Sequence, residues 1–328
     1  MKPTLLLSAG WAYAATSPLA YTLQRLTKYA HGGYSKNIHY FKSIKYNSST
    51  PDPVLRELYK RVLFNTWEGY DTNTGHKLNR PEDLAPLEGF SKKTFSNMVT
   101  LPYTLDKYID YYKALYEQVQ PHGYKAVADY QVNYGSVQQF IPQLQQHFDL
   151  KILLIARDPI RRAVSKAKWH HTKFPEQNII HNNRFTDLLE PFFKDYVTIF
   201  NTLKELVPNT HMILMEDLWE DDGTEKKKLE KFLDHSIPEL WPNLYCPDTG
   251  HHLTWDLQNT YCPTPCQVNG QSCFELTSSH YMELREQYKY YYDSWIQEYG
   301  SLPRGWGEPI DYSANLQRSD AHTESRYK

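Results

Sequence analysis

The sequence predicts an α/β chain with a central parallel sheet and helices on both faces. Three observations carry that expectation. Strand-like and helical patterns alternate along the chain, which is the signature of parallel α/β folds. The segment Lys151 to Ala156 (KILLIA) is an almost unbroken apolar run, as a parallel strand buried on both faces requires. The first strand, loop and helix form a P-loop-like unit rich in small residues.

The elements follow in order. Thr4 to Ser8 reads as a short buried strand. A loop of small residues runs from Gly10 to Thr16, and Ser17-Pro18 opens a helix to about Lys28. Proline suits the first helical position, and Thr16 or Ser17 can cap it. His31-Gly32-Gly33 closes that unit. Asn37 to Phe41 reads as a second strand. Residues 42–123 form a polar, weakly periodic insertion that ends in an amphipathic helix, Leu105 to Val119. Tyr124 to Ala128 is strand-like, and Val137 to Phe148 is helical. After the KILLIA strand, Asp158-Pro159 starts a helix to about His170. Thr186 to Leu206 reads as a long helix, His211 to Met215 as a strand and Glu225 to Asp234 as a helix. Thr277 to Tyr299 is a closing helix. Residues 1–309 are expected to form a single domain, with a polar tail over 310–328.

Composition excludes several classes of function. The chain has 328 residues, 36 basic and 38 acidic, for a formal charge of −2. Near-neutral charge argues against a polyanion binder held by bulk charge, so neither nucleic acid nor an anionic membrane is an expected partner. No segment reaches the roughly 18 apolar residues of a membrane span. The start, MKPTLLLSAGWAYAA, imitates a signal peptide, but its apolar run is short and broken by Gly10. A cytoplasmic location is the expectation. Cys246, Cys262, Cys266 and Cys273 all fall late. Their spacing matches no common zinc signature, and no metal is expected; a disulfide and free thiols both stay open. Tyrosine is abundant, with 27 residues against 14 glycines. Its apolar ring and hydroxyl suit half-buried surfaces and polar ligands.

Two segments have the chemistry of anion sites. In the first loop, Ala14, Ala15, Thr16 and Ser17 let backbone N–H groups approach an anion at a helix start. The pattern Gly-x4-Gly-Lys-Ser/Thr is absent, which argues against an ordinary Walker ATPase. The second segment, 153–170, reads LLIARDPIRRAVSKAKWH. Arg157 stands at the strand's end, and Ser165 follows eight positions later, about two helical turns or 11 Å on. An Arg fork reaching forward and a Ser hydroxyl can meet on one phosphate. Residues 151–173 hold seven basic side chains against Asp158 alone, a local charge of +6 in a chain of total −2.

An apolar strand followed by R-D-P-x-x-R-A-x-S resembles the 3′-phosphate-binding motif of sulfotransferases that use PAPS (3′-phosphoadenosine 5′-phosphosulfate). Other segments are similar to that family in the same order. GWAYAATSPL, 10–19, resembles its 5′-phosphosulfate loop. KNIHYF, 36–41, resembles the K-E-x-H-F-F strand of the heparan-sulfate-type, carbohydrate-modifying branch. ADYQVNY, 128–134, resembles its G-E-K-[ST]-P-x-Y segment, and ILMEDL, 213–218, its Y-E-D-L strand. The cysteine-containing loop 246–273 and the closing helix resemble the disulfide-flanked region before the family's last helix.

The resemblance implies a P-loop-type sulfotransferase fold and a PAPS-dependent sulfotransferase. The acceptor would be a hydroxyl or amine of a carbohydrate or other small molecule. Ala14 to Ser17 would hold the 5′-phosphosulfate, and Arg157 with Ser165 the 3′-phosphate. His39 would be the base, with Asp129 as its alternative. Trp67, Tyr70 and Tyr103 are open to either sugar stacking or core packing. The departures bear on the chemistry. Tyr13 stands at the family's loop lysine, Asn37 at its carboxylate base and Tyr130 at a second lysine. FELTSS follows Cys273 in place of the family's K-G-R loop. Lys36 is then the first candidate for the missing positive charge. A non-catalytic nucleotide- or glycan-binding protein on the same scaffold is the alternative reading.

Overall fold

A computed structural model describes residues 2–10, 19–20, 23–24, 27–33, 40–45, 85–87, 90, 92–131, 137–163, 195–218, 224–237, 244–245, 252–253, 267–268, 271–272 and 278–308. The chain divides into two compact units. The first comprises Met1–Ala156, Phe200–Ile213 and Gly223–Pro242; the second comprises Arg157–Ile199, Leu214–Asp222 and Asn243–Lys328.

The sheet belongs to the first unit. It is built from β1 (Thr4–Gly10), β2 (Ala30–His31), β3 (Ala126–Gln131), β4 (Asp149–Ala156) and β5 (Thr210–Leu214), in the order β2-β3-β1-β4-β5. Strand β1 pairs in parallel with both β3 and β4, and β2 pairs in parallel with β3. The central position of β1 explains its composition. Leu5, Leu6 and Leu7 are all fully buried, which a strand covered on both faces demands. Strand β4 follows the same rule from Leu150 to Ala156, with only Lys151 partly exposed.

Register shows that helices cover both faces. Leu7 lies opposite Asp129 and Ile152, whereas Leu6 lies opposite Ala128 and Lys151. Successive side chains point to opposite faces, so Asp129 and Lys151 mark the two sides. On one side, the Tyr108 hydroxyl donates to Asp129 Oδ2 at 2.8 Å, from the helix Leu105–Val119. On the other, Lys151 Nζ donates to the carbonyls of Phe232 and Leu233 at 3.0 and 3.3 Å, ending the helix Thr224–Leu233. A lysine on the last carbonyls of a helix satisfies groups that have no partner within it. His235 extends that face, with Nε2 2.8 Å from the Thr27 carbonyl.

The helix Leu105–Val119 has the bounds expected from its sequence period. Thr104 caps it by accepting the Lys107 N–H, and it buries Tyr108, Ile109, Tyr111, Tyr112, Leu115 and Val119. Its tyrosines meet Tyr40, Phe41, Phe90 and Phe95 in an aromatic cluster. Among the described residues, tyrosine goes largely into the core. Tyr40, Tyr108, Tyr111, Tyr112, Tyr281 and Tyr292 are all essentially inaccessible. Tyr103, one of the residues open to sugar stacking, packs edge-on against Tyr40 and is buried. Trp67 and Tyr70 lie outside the described residues.

Several elements differ from expectation. Tyr40 and Phe41 do not end a strand; they begin the helix Tyr40–Lys45. Both rings are buried side by side, Tyr40 against Tyr103 and Tyr108, Phe41 against Tyr108 and Phe140. Strand alternation would turn one of them away, so aromatic packing overrides the β-branched pattern. The second strand is instead Ala30–His31, inside the segment expected to be a turn. There the Tyr29 carbonyl accepts the N–H groups of Lys125 and Ala126. Strand β3 begins and ends later than expected, which puts Asp129 and Tyr130 inside it. Met215 begins the short helix Met215–Leu218 rather than ending β5. The closing helix is two helices, Ser278–Gln287 and Lys289–Tyr299, divided at Tyr288. Short antiparallel pairs, Leu244–Tyr245 with His252–Leu253 and Gln267–Val268 with Gln271–Ser272, occur in the cysteine region. The cysteines themselves lie outside the described residues.

Leu6→Ala should leave a cavity at the centre of the sheet and cost about 2–5 kcal/mol, read by chemical denaturation.

Candidate functional site

Topology selects one end of the sheet. The chain leaves β1 toward β3 and β2, then crosses after β3 to β4 on the far side. Ligands of open α/β sheets bind beyond the carboxyl ends of the strands at such a switch point. The strands flanking it are β1 and β4, whose last paired residues are Gly10 and Ile155. Chain continuity makes Arg157 the second residue after Ile155. The loop residues Ala14, Ala15, Thr16 and Ser17, together with Lys36, His39 and Ser165, lie outside the described residues. Of the site residues expected from sequence, Asp129 and Arg157 are described.

Asp129 belongs to the first unit and is buried in β3, where it accepts the Tyr108 hydroxyl. Tyr130, at the family's second lysine position, is also fixed in the core. Its hydroxyl donates to the Ala30 carbonyl at 3.0 Å, and its ring edge would lie 2.7 Å from a Cβ at Gly32. Burial pushes this phenol well above its ordinary range. Tyr130 is thus a buried phenol whose hydrogen is already engaged.

Arg157 opens the second unit and is 2% exposed. The Tyr196 hydroxyl donates to its carbonyl at 2.8 Å. Burial pulls the guanidinium below its usual range, and the nearby Glu216 carboxylate opposes that pull. Asp158 follows, fully buried, and caps the helical residues 159–163. Its Oδ1 accepts the Arg161 N–H at 2.9 Å, and Pro159 takes the first helical position, as expected from sequence.

The other carboxylate oxygen of Asp158 does something the sequence did not announce. Oδ2 accepts the Tyr281 hydroxyl at 2.8 Å, the Tyr292 hydroxyl at 3.1 Å and the Gly307 N–H at 3.2 Å. Burial, and then the Asp158 charge, hold both phenols well above their ordinary range, so they remain donors. The Asp158 N–H donates to Glu216 Oε1 at 2.9 Å, and Glu216 Oε2 accepts the Trp306 indole N–H at 2.8 Å. Burial pushes the Glu216 carboxyl up, while the Asp158 N–H opposes it. Glu216 sits in the ILMEDL segment, and its partners are backbone and indole. Trp306 stacks in turn with Trp295 and Tyr196.

Arg161 and Arg162 continue the basic run. Arg161 Nη2 donates to the Glu308 carbonyl at 2.9 Å, and its guanidinium lies over the Tyr281 ring at 5.9 Å. Arg162 is 3% exposed, and its Nε and Nη2 have no hydrogen-bond partner among the described residues. From sequence, Arg161 counts only as charge, and Arg162 is also the second arginine of R-D-P-x-x-R-A-x-S. No local signal marks which member of a basic run is buried. Tyr281, Tyr292 and Trp306 were also missed, because more than 120 residues separate them from Asp158.

No protein-family model matches the chain, and no curated protein matches its sequence. Among solved structures, it is similar to the sulfotransferase domain of the Synechococcus PCC 7002 olefin synthase, with a TM-score of 0.48 and 16% identity, covering 88% of this chain and 96% of that one. It is similar to a sulfotransferase from Alicyclobacillus acidocaldarius, with a TM-score of 0.46 and 13% identity over 93% and 99% of the two chains. It is also similar to the sulfotransferase domain from the curacin biosynthetic pathway, with a TM-score of 0.45 and 15% identity over 72% and 76%.

Asp158→Ala strands several buried donors at once and should cost about 3–5 kcal/mol in urea unfolding. A loss below about 1 kcal/mol, the worth of a single ordinary hydrogen bond, would contradict the network described.

Proposed function

We propose that the chain is a PAPS-dependent sulfotransferase that transfers a sulfuryl group to a hydroxyl or amine of a small molecule, with carbohydrates the leading acceptor class. The observation that carries this reading is Arg157. It is a buried guanidinium directly beyond the central strand β4, in the sequence R-D-P-x-x-R-A-x-S. Burying a guanidinium is costly, and a bound phosphate offsets that cost with charge-assisted, bidentate hydrogen bonds. The residues present fit a phosphate-rich donor. Arg157 and Arg162 are both buried, and Arg162 keeps two N–H groups without a partner among the described residues.

PAPS supplies an activated sulfuryl group on its 5′-phosphate. The chain's part is to bind, orient and move one proton. Arg157 and Ser165 hold the 3′-phosphate. The backbone N–H groups of Ala14 to Ser17 and the hydroxyls of Thr16 and Ser17 hold the 5′-phosphosulfate. The acceptor oxygen bonds to sulfur as the bond from sulfur to the 5′-phosphate oxygen breaks. His39 takes the acceptor's proton, since an imidazole of ordinary pKa about 6.5 suits neutral pH. Lys36 and the loop N–H groups face the charge that develops on the departing phosphate oxygen. Asp129 is the alternative base, with its Tyr108 partner holding the carboxylate in place.

A specific observation favours a second reading, a non-catalytic nucleotide- or glycan-binding protein on the same scaffold. Tyr13, Asn37 and Tyr130 stand where the family has two lysines and a carboxylate, and the Tyr130 hydroxyl is taken by Ala30. Labelled PAPS with a panel of sugars and phenols separates the two readings. Transfer supports the enzyme, binding without transfer supports the alternative, and the absence of both removes the PAPS assignment.

Calorimetry should detect 3′,5′-bisphosphoadenosine, and Arg157→Ala should weaken it by about 1.5–3 kcal/mol, the worth of one charged hydrogen-bonded contact. Unchanged affinity would remove Arg157 from the 3′-phosphate. His39→Ala should lower turnover by roughly 10²–10⁴-fold, and near-normal turnover would move the base to Asp129.

A further inference from the structure

Arg162 poses a problem of electrostatics that the described residues of its unit do not solve. Its side chain is 3% exposed, and no carboxylate pairs with it among the described residues. The phenols of Tyr196 and Tyr291 are the described groups that favour its charge. Nε and Nη2 have no partner among the described residues. Its neighbours are better supplied, although Arg161 Nε also has no hydrogen-bond partner among the described residues. Arg161 is placed by the Glu308 carbonyl and the Tyr281 ring, and Arg157 has the Glu216 carboxylate beside it.

Buried charges in proteins are paired, because desolvating an ion without a counter-charge is costly. An arginine cannot escape that cost by losing its proton in the accessible pH range. A fold that keeps Arg162 in this state has a use for an anion there. The position is specific. Its backbone N–H donates to the Asp158 carbonyl at 3.0 Å, and the Tyr196 phenol that favours its charge donates to the Arg157 carbonyl. The guanidinium is thereby tied to the same turn as Arg157.

We infer that Arg162 is a second anion-binding guanidinium, one that takes a phosphate oxygen of the nucleotide beside Arg157. This rests on the PAPS reading above. It differs from that reading in its residue, since neither Arg157 nor Lys36 is asked to act alone. Tyr196 is then a positioning residue, holding Arg162 from one side and the Arg157 backbone from the other.

The test uses the full chain, 3′,5′-bisphosphoadenosine as probe, and the variants Arg162→Met and Arg162→Gln. Two readings are taken, the melting temperature without ligand and the affinity by calorimetry. A functional but uncompensated charge weighs on the ligand-free protein, so Arg162→Met should melt no lower than wild type. Both variants should bind the probe at least tenfold more weakly. Unchanged affinity in either variant overturns the inference. So does a lowered melting temperature in both variants with wild-type affinity in Arg162→Gln, which is what a purely structural arginine gives. If Arg162→Met does not fold, Arg162→Gln alone decides by its affinity. Wild-type protein that fails to bind the probe overturns the PAPS reading itself, and that failure is visible before any variant is made.

Discussion

The second unit depends on one buried carboxylate. Asp158 is fully inaccessible, yet it accepts four hydrogen bonds, from Arg161, Tyr281, Tyr292 and Gly307. A bare carboxylate in the interior is untenable, and donors on every side make it tenable. The consequence is architectural. One oxygen caps the helix that follows Arg157, and the other gathers the two closing helices and the turn at Gly307. Glu216 repeats the device one step away, bridging the Asp158 N–H to the Trp306 indole. The backbone of residues 157 and 158 is thereby held at both its carbonyl and its N–H groups.

That rigidity matters for what Arg157 can do. Recognition of a phosphate by a guanidinium depends on placing a planar fork, and small displacements are costly. A site at the end of a strand, with its first turn locked by buried hydrogen bonds, meets that need better than a free loop would. The basic run then divides into roles. Arg161 is held by packing and a carbonyl, Arg157 stands beside a carboxylate, and Arg162 is buried with no carboxylate partner among the described residues. Net charge could not have separated them, because all three count as +1.

The legibility of the sequence followed physical lines. Strand β4 and the helix Leu105–Val119 were readable because burial on both faces, or on one stripe, writes itself into local period. The N-cap at Asp158 was readable because Asp-Pro is a local signal. Tyr40 and Phe41 were misread because their helical state is imposed by distant rings, Tyr103, Tyr108 and Phe140. The partners of Asp158 were invisible for the same reason, lying at 281, 292 and 307. Tyrosine was legible as an excess but not as a destination. Tyr130 and Tyr103 went to the core, where the hydroxyl of Tyr130 finds a backbone carbonyl rather than a ligand.

The central claim is that Arg157 is the 3′-phosphate residue. A crystal structure with 3′,5′-bisphosphoadenosine bound tests it most directly. The account predicts that the 3′-phosphate oxygens sit about 2.7–2.9 Å from the Arg157 guanidinium nitrogens, the span of a charge-assisted bond. A bound nucleotide whose 3′-phosphate is held by other groups, with the Arg157 guanidinium out of hydrogen-bond reach of it, would contradict it.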